Sequence, residues 1–418
     1  MKQRDVGNSG NETPAEVIRV DEKIRQRENR YYLRVADRYR AAGFILLLLL
    51  ALFGGVMLMR YSEYITYDNF VYLMRDFDSA ADSGDGVHSD IVYSAEDRMT
   101  FCAYRGALAA VGNRSVRIYD LSGAVLCDGT ESFSNPAASA SGKYLLAYDI
   151  GGSSYAVYNS TARIVSRQTD GAIISASVGD NGAYAVTSES DSSRYVTEIY
   201  SSSLRRTMSI YTDKYVIDSA ISRDGEYTAI AAMFESGSGI LCEVSVYKSG
   251  SEQAVGSTTY GDEMPVKLGA MDGGRFFLLT DGAARFIGED GASLSECVLE
   301  GNGISYVDVF PTGAVVAVRG NDIGSESRVY SFDNGGNILY NSLVDIRVTG
   351  VAVSTDARYV GYLLSSGSVA ALTADGGLTY ADADGEVIRL LDVGGSLVVC
   401  GAASARSVTF RTDDASGA

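Results

Sequence analysis

Ser141-Gly142-Lys143-Tyr144-Leu145-Leu146-Ala147 is a glycine turn that runs straight into an apolar strand, and the phrase recurs along the chain. Glycine gives the backbone the freedom a tight turn needs, and the aromatic and branched residues behind it suit a buried strand. Further copies are Arg105-Gly106-Ala107-Leu108, Asn181-Gly182-Ala183-Tyr184, Asp224-Gly225-Glu226-Tyr227 and Gly273-Gly274-Arg275-Phe276. Thr312-Gly313-Ala314-Val315, Asp356-Ala357-Arg358-Tyr359 and Gly394-Gly395-Ser396-Leu397 complete the set. The second turn residues lie 36, 40, 43, 49, 39, 44 and 38 apart. A period near 40 built wholly from strands means propeller blades.

A second landmark follows each first one, a strand that ends in a large apolar residue before a polar turn. It reads Arg117-Ile118-Tyr119-Asp120, Ala156-Val157-Tyr158-Asn159, Glu198-Ile199-Tyr200-Ser201 and Val246-Tyr247-Lys248. The later copies are Arg285-Phe286-Ile287-Gly288, Tyr330-Ser331-Phe332-Asp333, Ala370-Ala371-Leu372-Thr373 and Val408-Thr409-Phe410-Arg411. Turns such as Leu121-Ser122-Gly123 then reverse the chain into an outer strand. Each unit therefore carries four strands, A to D, with the first landmark between A and B and the second at the end of C. The eighth unit ends after its strand C, and an extra strand, Ile91–Tyr93, precedes the first. That strand is expected to serve as strand D of the last blade, closing the ring and removing an exposed edge. The reading is an all-β propeller of eight blades; the 49-residue interval and the atypical Asp356-Ala357 turn leave a count of seven open.

These units resemble WD40 or quinoprotein-type blades, with Arg117-Ile118-Tyr119-Asp120 where a WD40 blade often has Trp-Asp. The chain has no tryptophan and no Gly-His pair, so the WD40 hydrogen-bond tetrad does not carry over, nor do quinoprotein cofactor contacts.

Outside the repeats, Ala41–Met59 is nineteen residues without a charge, bracketed by Arg38, Arg40 and Arg60. As a helix it spans roughly 28 Å, about the thickness of a bilayer's hydrocarbon core. Seven basic residues lie between Lys23 and Arg40, and the far flank is acidic. The positive-inside rule then places the N-terminus in the cytoplasm and residues 61–418 outside. Expected divisions are a basic, partly helical cytoplasmic arm over 1–40, a transmembrane helix over 41–60 and a juxtamembrane segment and acidic linker over 61–90. The extracellular propeller takes 91–413 and a tail 414–418. Tyr61, Tyr64, Tyr67, Phe70 and Tyr72 suit a headgroup region. Basic arm, one span and acidic, tyrosine-rich propeller together resemble an uncharacterised bacterial family of single-pass membrane proteins, a resemblance of layout that implies no particular activity.

Composition narrows the chemistry. Residues 61–418 hold 24 Lys and Arg against 46 Asp and Glu, a field that repels nucleic acid. The one histidine, His88, sits in the linker, which argues against Ser-His-Asp, Cys-His and His-ligated metal chemistry. Cys102, Cys127, Cys242, Cys297 and Cys400 show no CxxC spacing and read as small buried hydrophobes. No phosphate-binding glycine motif or nucleophile elbow is present. Asp382-Ala383-Asp384-Gly385 reads as a turn rather than a calcium loop.

No catalytic, cofactor or metal residue is assigned, and no cofactor is expected. The expected role is a non-enzymatic binding or scaffold module at the outer face of a bacterial membrane, facing a protein or cell-wall partner. Its contact surface is expected in three B–C loops: Glu189–Arg194, Glu235–Ser238 and Asn321–Glu326. The alternatives are a carboxylate-dependent glycosidase or lyase-like enzyme in the channel, and a sensor acting through the helix Pro14–Arg40. Inward acids with arginine at a channel mouth would favour the enzyme; a wall of Ser, Ala and Val would favour the binder.

Overall fold

The computed structural model describes residues 14–61, 67, 90–237, 239–320, 326–353, 359–373, 378–382 and 387–408. His88, most of the acidic linker, the Asp356-Ala357 turn, most of the Asn321–Glu326 loop and Phe410 lie outside them. Two compact units are present, Met1–Phe77 and Asp78–Ala418.

The first contains one continuous helix, Pro14–Tyr61. Proline suits a helix's first turn because its missing N–H would be unpaired there anyway. Val35–Met57 of this helix is long and apolar enough to cross a membrane, and Leu46–Leu50 are exposed.

The second is a propeller of eight four-stranded antiparallel sheets. From blade 1 to blade 8 the inner strands A are Met99–Tyr104, Pro136–Ala140, Ile173–Val178, Tyr215–Ile221, Pro265–Met271, Ile304–Phe310, Val348–Val353 and Val387–Val393. Both landmarks act in the register. The residue that opens strand B pairs with the large residue that ends strand C: Leu108 with Tyr119, Leu145 with Tyr158, Tyr184 with Tyr200. Gly182 of the first landmark holds φ +88, and a Cβ there would strike the Lys143 and Tyr144 side chains of the preceding blade.

Strands B are buried on both faces; every residue of Ala107–Gly112 and of Leu145–Asp149 is buried. Alternate residues point to opposite neighbours, as a period of two requires. Ala109 and Val111 pack on blade 2, while Leu108 and Ala110 pack on blade 8. The core is accordingly divided into eight apolar clusters, one in each gap between adjacent blades. None of them fills the axis, so the channel wall can be polar.

The ring closes as the sequence leads one to expect. Ile91 pairs with Ala405 and Val92 with Ser404, which makes Ile91–Val92 the outer strand of blade 8. Tyr93 adds a 2.6 Å hydrogen bond from its hydroxyl to the Gly401 carbonyl, and its ring lies 5.4 Å from Phe101 of blade 1. One boundary differs: strand C of blade 8 is Ser404–Ser407, not Val408–Phe410. A tight turn at Ala402–Ala403 sets the register, and the Val408 amide donates to the Leu397 carbonyl at 2.7 Å. Val408 thus takes the place that Tyr119 takes in blade 1.

Candidate functional site

Strand A has no neighbour on its inner side, so every second amide along it faces the channel without a strand partner. In blades 3 to 8 a bulge interrupts the start of this strand. A bulge re-aims the side chain that follows it. The residues just past the bulges are Ser175, Asp218, Lys267, Tyr306, Gly350 and Arg389, all in the same register with strand B. In blades 1 and 2, where the ladder is unbroken, Thr100 and Ala137 hold that level.

From blade 2 to blade 5 four of the free amides are met by side chains of the preceding blade. The Ser219 amide donates to Ser175 Oγ at 3.0 Å, and the Leu268 amide to Asp218 Oδ2 at 3.0 Å. At the next level the Val178 amide donates to Ser139 Oγ at 3.2 Å and the Ile221 amide to Ser177 Oγ at 2.9 Å. Thr187 and Thr197 extend the hydroxyl chain from Ser219. Asp218 is fully occupied: Oδ1 accepts the Ser219 amide at 2.9 Å, and Oδ2 also accepts Lys267 Nζ at 2.8 Å.

Beyond Lys267 the wall changes. Its side chain lies within the ring yet is 47% exposed, so water reaches it along the channel. Burial opposes its charge, but the Asp218 carboxylate outweighs this and raises its pKa. On blade 6, Asp308 accepts the Val309 amide at 3.0 Å and no other hydrogen bond among the described residues. Burial raises its carboxyl above the usual range, although Arg389 and Lys267 pull it back. Arg389 has no hydrogen-bond or ion-pair partner among the described residues, and its Nε is buried. Tyr306, Asp308, Cys102 and Cys400 all interact with its charge. Burial pushes the Cys102 and Cys400 thiols up to about 12, so neither is a thiolate at neutral pH.

A second feature lies on the face of the ring that carries the B–C and D–A connections. Strands B and C of blade 4, Tyr227–Ser236 and Gly239–Lys248, are ten residues each, where no other blade exceeds seven. Their hairpin flanks a cavity of about 570 Å³ lined by Met233, Glu235, Ile240, Asp262, Met264 and Asp281 among others. Ile240 and Met264 are 52% and 55% exposed. Asp281 already accepts the Met264 amide and Glu263 already binds Arg285, while Glu235 and Asp262 have no such partner among the described residues. On blade 3 the Glu189–Arg194 loop ends with Arg194 stacked 3.9 Å over the Tyr215 ring. The first two loops expected to make contacts sit on adjacent blades, 3 and 4. Among the described residues no group of three or more His, Cys, Asp or Glu could hold a metal ion.

Residues 84–357 match the model of a family of unknown function, DUF5711. The chain belongs to DUF5711. No curated protein matches it in sequence. The DUF5711 propeller resembles the crystal structure of BamB from Moraxella catarrhalis, with a TM-score of 0.50 at 12% identity over 79% of this chain and 98% of that one. It is equally similar to a eukaryotic initiation factor, with a TM-score of 0.50 at 13% identity over 77% and 89%. Likeness at this identity shows the fold and selects no activity.

From sequence alone, most acidic residues of this DUF5711 chain are expected in turns open to water. Asp218 and Asp308 instead sit on inner strands. The available signal was position: Ser175, Asp218, Lys267 and Arg389 lie six or seven residues ahead of a first-landmark glycine, within what reads as strand A.

Proposed function

We propose that this chain is a membrane-anchored, extracytoplasmic propeller of the bacterial envelope that binds a protein or cell-wall partner without turning it over. The blade 4 hairpin carries the reading: it projects past its neighbours and presents Met233, Ile240 and Met264 around a partly acidic cavity. Exposed apolar side chains rimmed by polar groups mark interaction surfaces, and methionine adapts to irregular partners. The Lys23–Arg40 cluster and the uncharged helix beyond it support the anchor and its orientation.

The enzyme reading draws on the inward Asp308 and Arg389. Glycoside hydrolysis needs two carboxylates flanking one bond. Asp218 spends both oxygens on Lys267 and two amides, and Asp308 takes the Val309 amide. The channel is thus better suited to holding a ligand than to acid–base work on one.

Two measurements test the proposal. Protease added to intact, wall-stripped cells should digest the propeller and spare a fragment spanning residues 1–60; a protected propeller inverts the topology. Replacing Glu235–Ile240 with a two-residue turn should abolish crosslinks formed from the cell surface to specific envelope components. Unchanged crosslinks would remove the hairpin from the contact surface.

A further inference from the structure

At the register level just past the bulges, blades 3 and 4 offer an acceptor to the next blade's free amide. Lys267, Gly350 and Arg389 stand at that level in blades 5, 7 and 8, and none of them can accept. The amides they leave are those of Val307, Leu390 and Phe101, which pair with strand B in the register of Leu268. The two-residue turns at Gly394–Gly395 and Arg105–Gly106 fix the alternation of the antiparallel ladder. Counting back from these turns, the N–H groups of Leu390 and Phe101 point away from strand B and into the channel. No side chain among the described residues accepts either.

Arg389 lies between them. It shares its strand face with Leu391 and Val393, which pack against blade 1. Arg389, with its buried, unpaired Nε, thus holds the register level next to those of the Leu390 and Phe101 amides. Unpaired buried donors are costly, and a cluster of them around one cation calls for an acceptor that brings negative charge. Lys267 and Arg389 both act on Asp308, so Lys267 adds positive charge to the same wall. Asp308 opposes it.

We propose that the channel wall between blades 7, 8 and 1 binds a small oxyanion, a carboxylate or a phosphate, through the Arg389 guanidinium and the Leu390 and Phe101 amides. This site is independent of the blade 4 hairpin, so either assignment can fail without the other. A guanidinium fork matches either anion in a two-point contact, and backbone amides donate to both without discrimination.

The test uses the full-length protein in detergent, unfolded thermally and followed by circular dichroism. Sodium acetate and inorganic phosphate are titrated separately at constant ionic strength held with chloride. A saturable rise in Tm with one ion supports the site, and which ion acts names the class. Arg389→Met should abolish the rise. Asp308→Asn, which removes the opposing charge, should lower the half-saturating concentration about tenfold, equivalent to about 1.4 kcal/mol. No rise with either ion overturns the proposal, as does a rise of equal size in Arg389→Met. Should Arg389→Met fail to fold, Asp308→Asn decides: an unchanged half-saturation point overturns it.

Discussion

The two halves of the channel wall are built from the same strand in the same register, yet they solve the open inner edge differently. From blade 2 to blade 5, Ser139, Ser175, Ser177 and Asp218 each take an amide of the next blade. At the level just past the bulges, the Leu390 and Phe101 amides and the Arg389 Nε have no side-chain acceptor among the described residues. An inner edge can therefore serve as scaffold or as site, and the choice rests on one side chain per blade.

Asp218→Ala should break this contrast hardest. It strips Lys267 of its partner and leaves the Leu268 amide unbonded, a loss of about 3 kcal/mol in chemical denaturation. A loss under 1 kcal/mol would mean that the sealed half gains little from its seal. Ser175→Ala removes a smaller part of the same wall, because Ser219 keeps Asp218 for its amide and Thr187 for its hydroxyl. About 1 kcal/mol is expected.

The open half should respond with the opposite sign. Arg389→Met, in buffer free of carboxylate and phosphate, should raise stability by about 1 kcal/mol by removing an unpaired buried charge. Destabilisation of the same size would show that Arg389 has a structural partner after all.

The smallest effect is one of pH. Burial raises the Asp308 carboxyl in the folded chain, so the native state holds that proton more tightly than the unfolded one. The associated stability is present at acid pH and is lost as pH rises through the folded value. The difference in Tm between Asp308→Asn and wild type should therefore grow as pH climbs from below 4 towards neutrality. A constant difference would show that Asp308 titrates normally.

Blade number and ring closure were legible because turn and packing signals coincide. Gly182 must adopt a positive φ, and Tyr119, Tyr158 and Phe332 must be large because each plugs the end of a blade. The last strand C was misplaced for the same reason: Ser404-Ala405-Arg406-Ser407 carries no such plug, and Phe410 drew the boundary outward. The channel was not legible. Which side chains face it depends on bulges at Ile217, Val266 and Ile388, and a bulge inserts one residue without a composition mark of its own. The polar pairs across it join residues some 44 to 50 apart, each of which reads alone as an ordinary strand residue.

Closure of blade 8 by Ile91–Val92 also imposes an order in time. The Tyr93 hydroxyl bonds a carbonyl 308 residues downstream. At synthesis rates of about 5–20 residues per second, the first strand waits roughly 15–60 s for its partner to leave the ribosome. Seven blades can stack in that interval, but the gap between blade 8 and blade 1 cannot be sealed. A nascent ring therefore exists for many seconds as an open arc with a bare apolar flank at Phe101 and Leu108, the stage at which it most needs a chaperone and is most easily lost to a neighbouring chain.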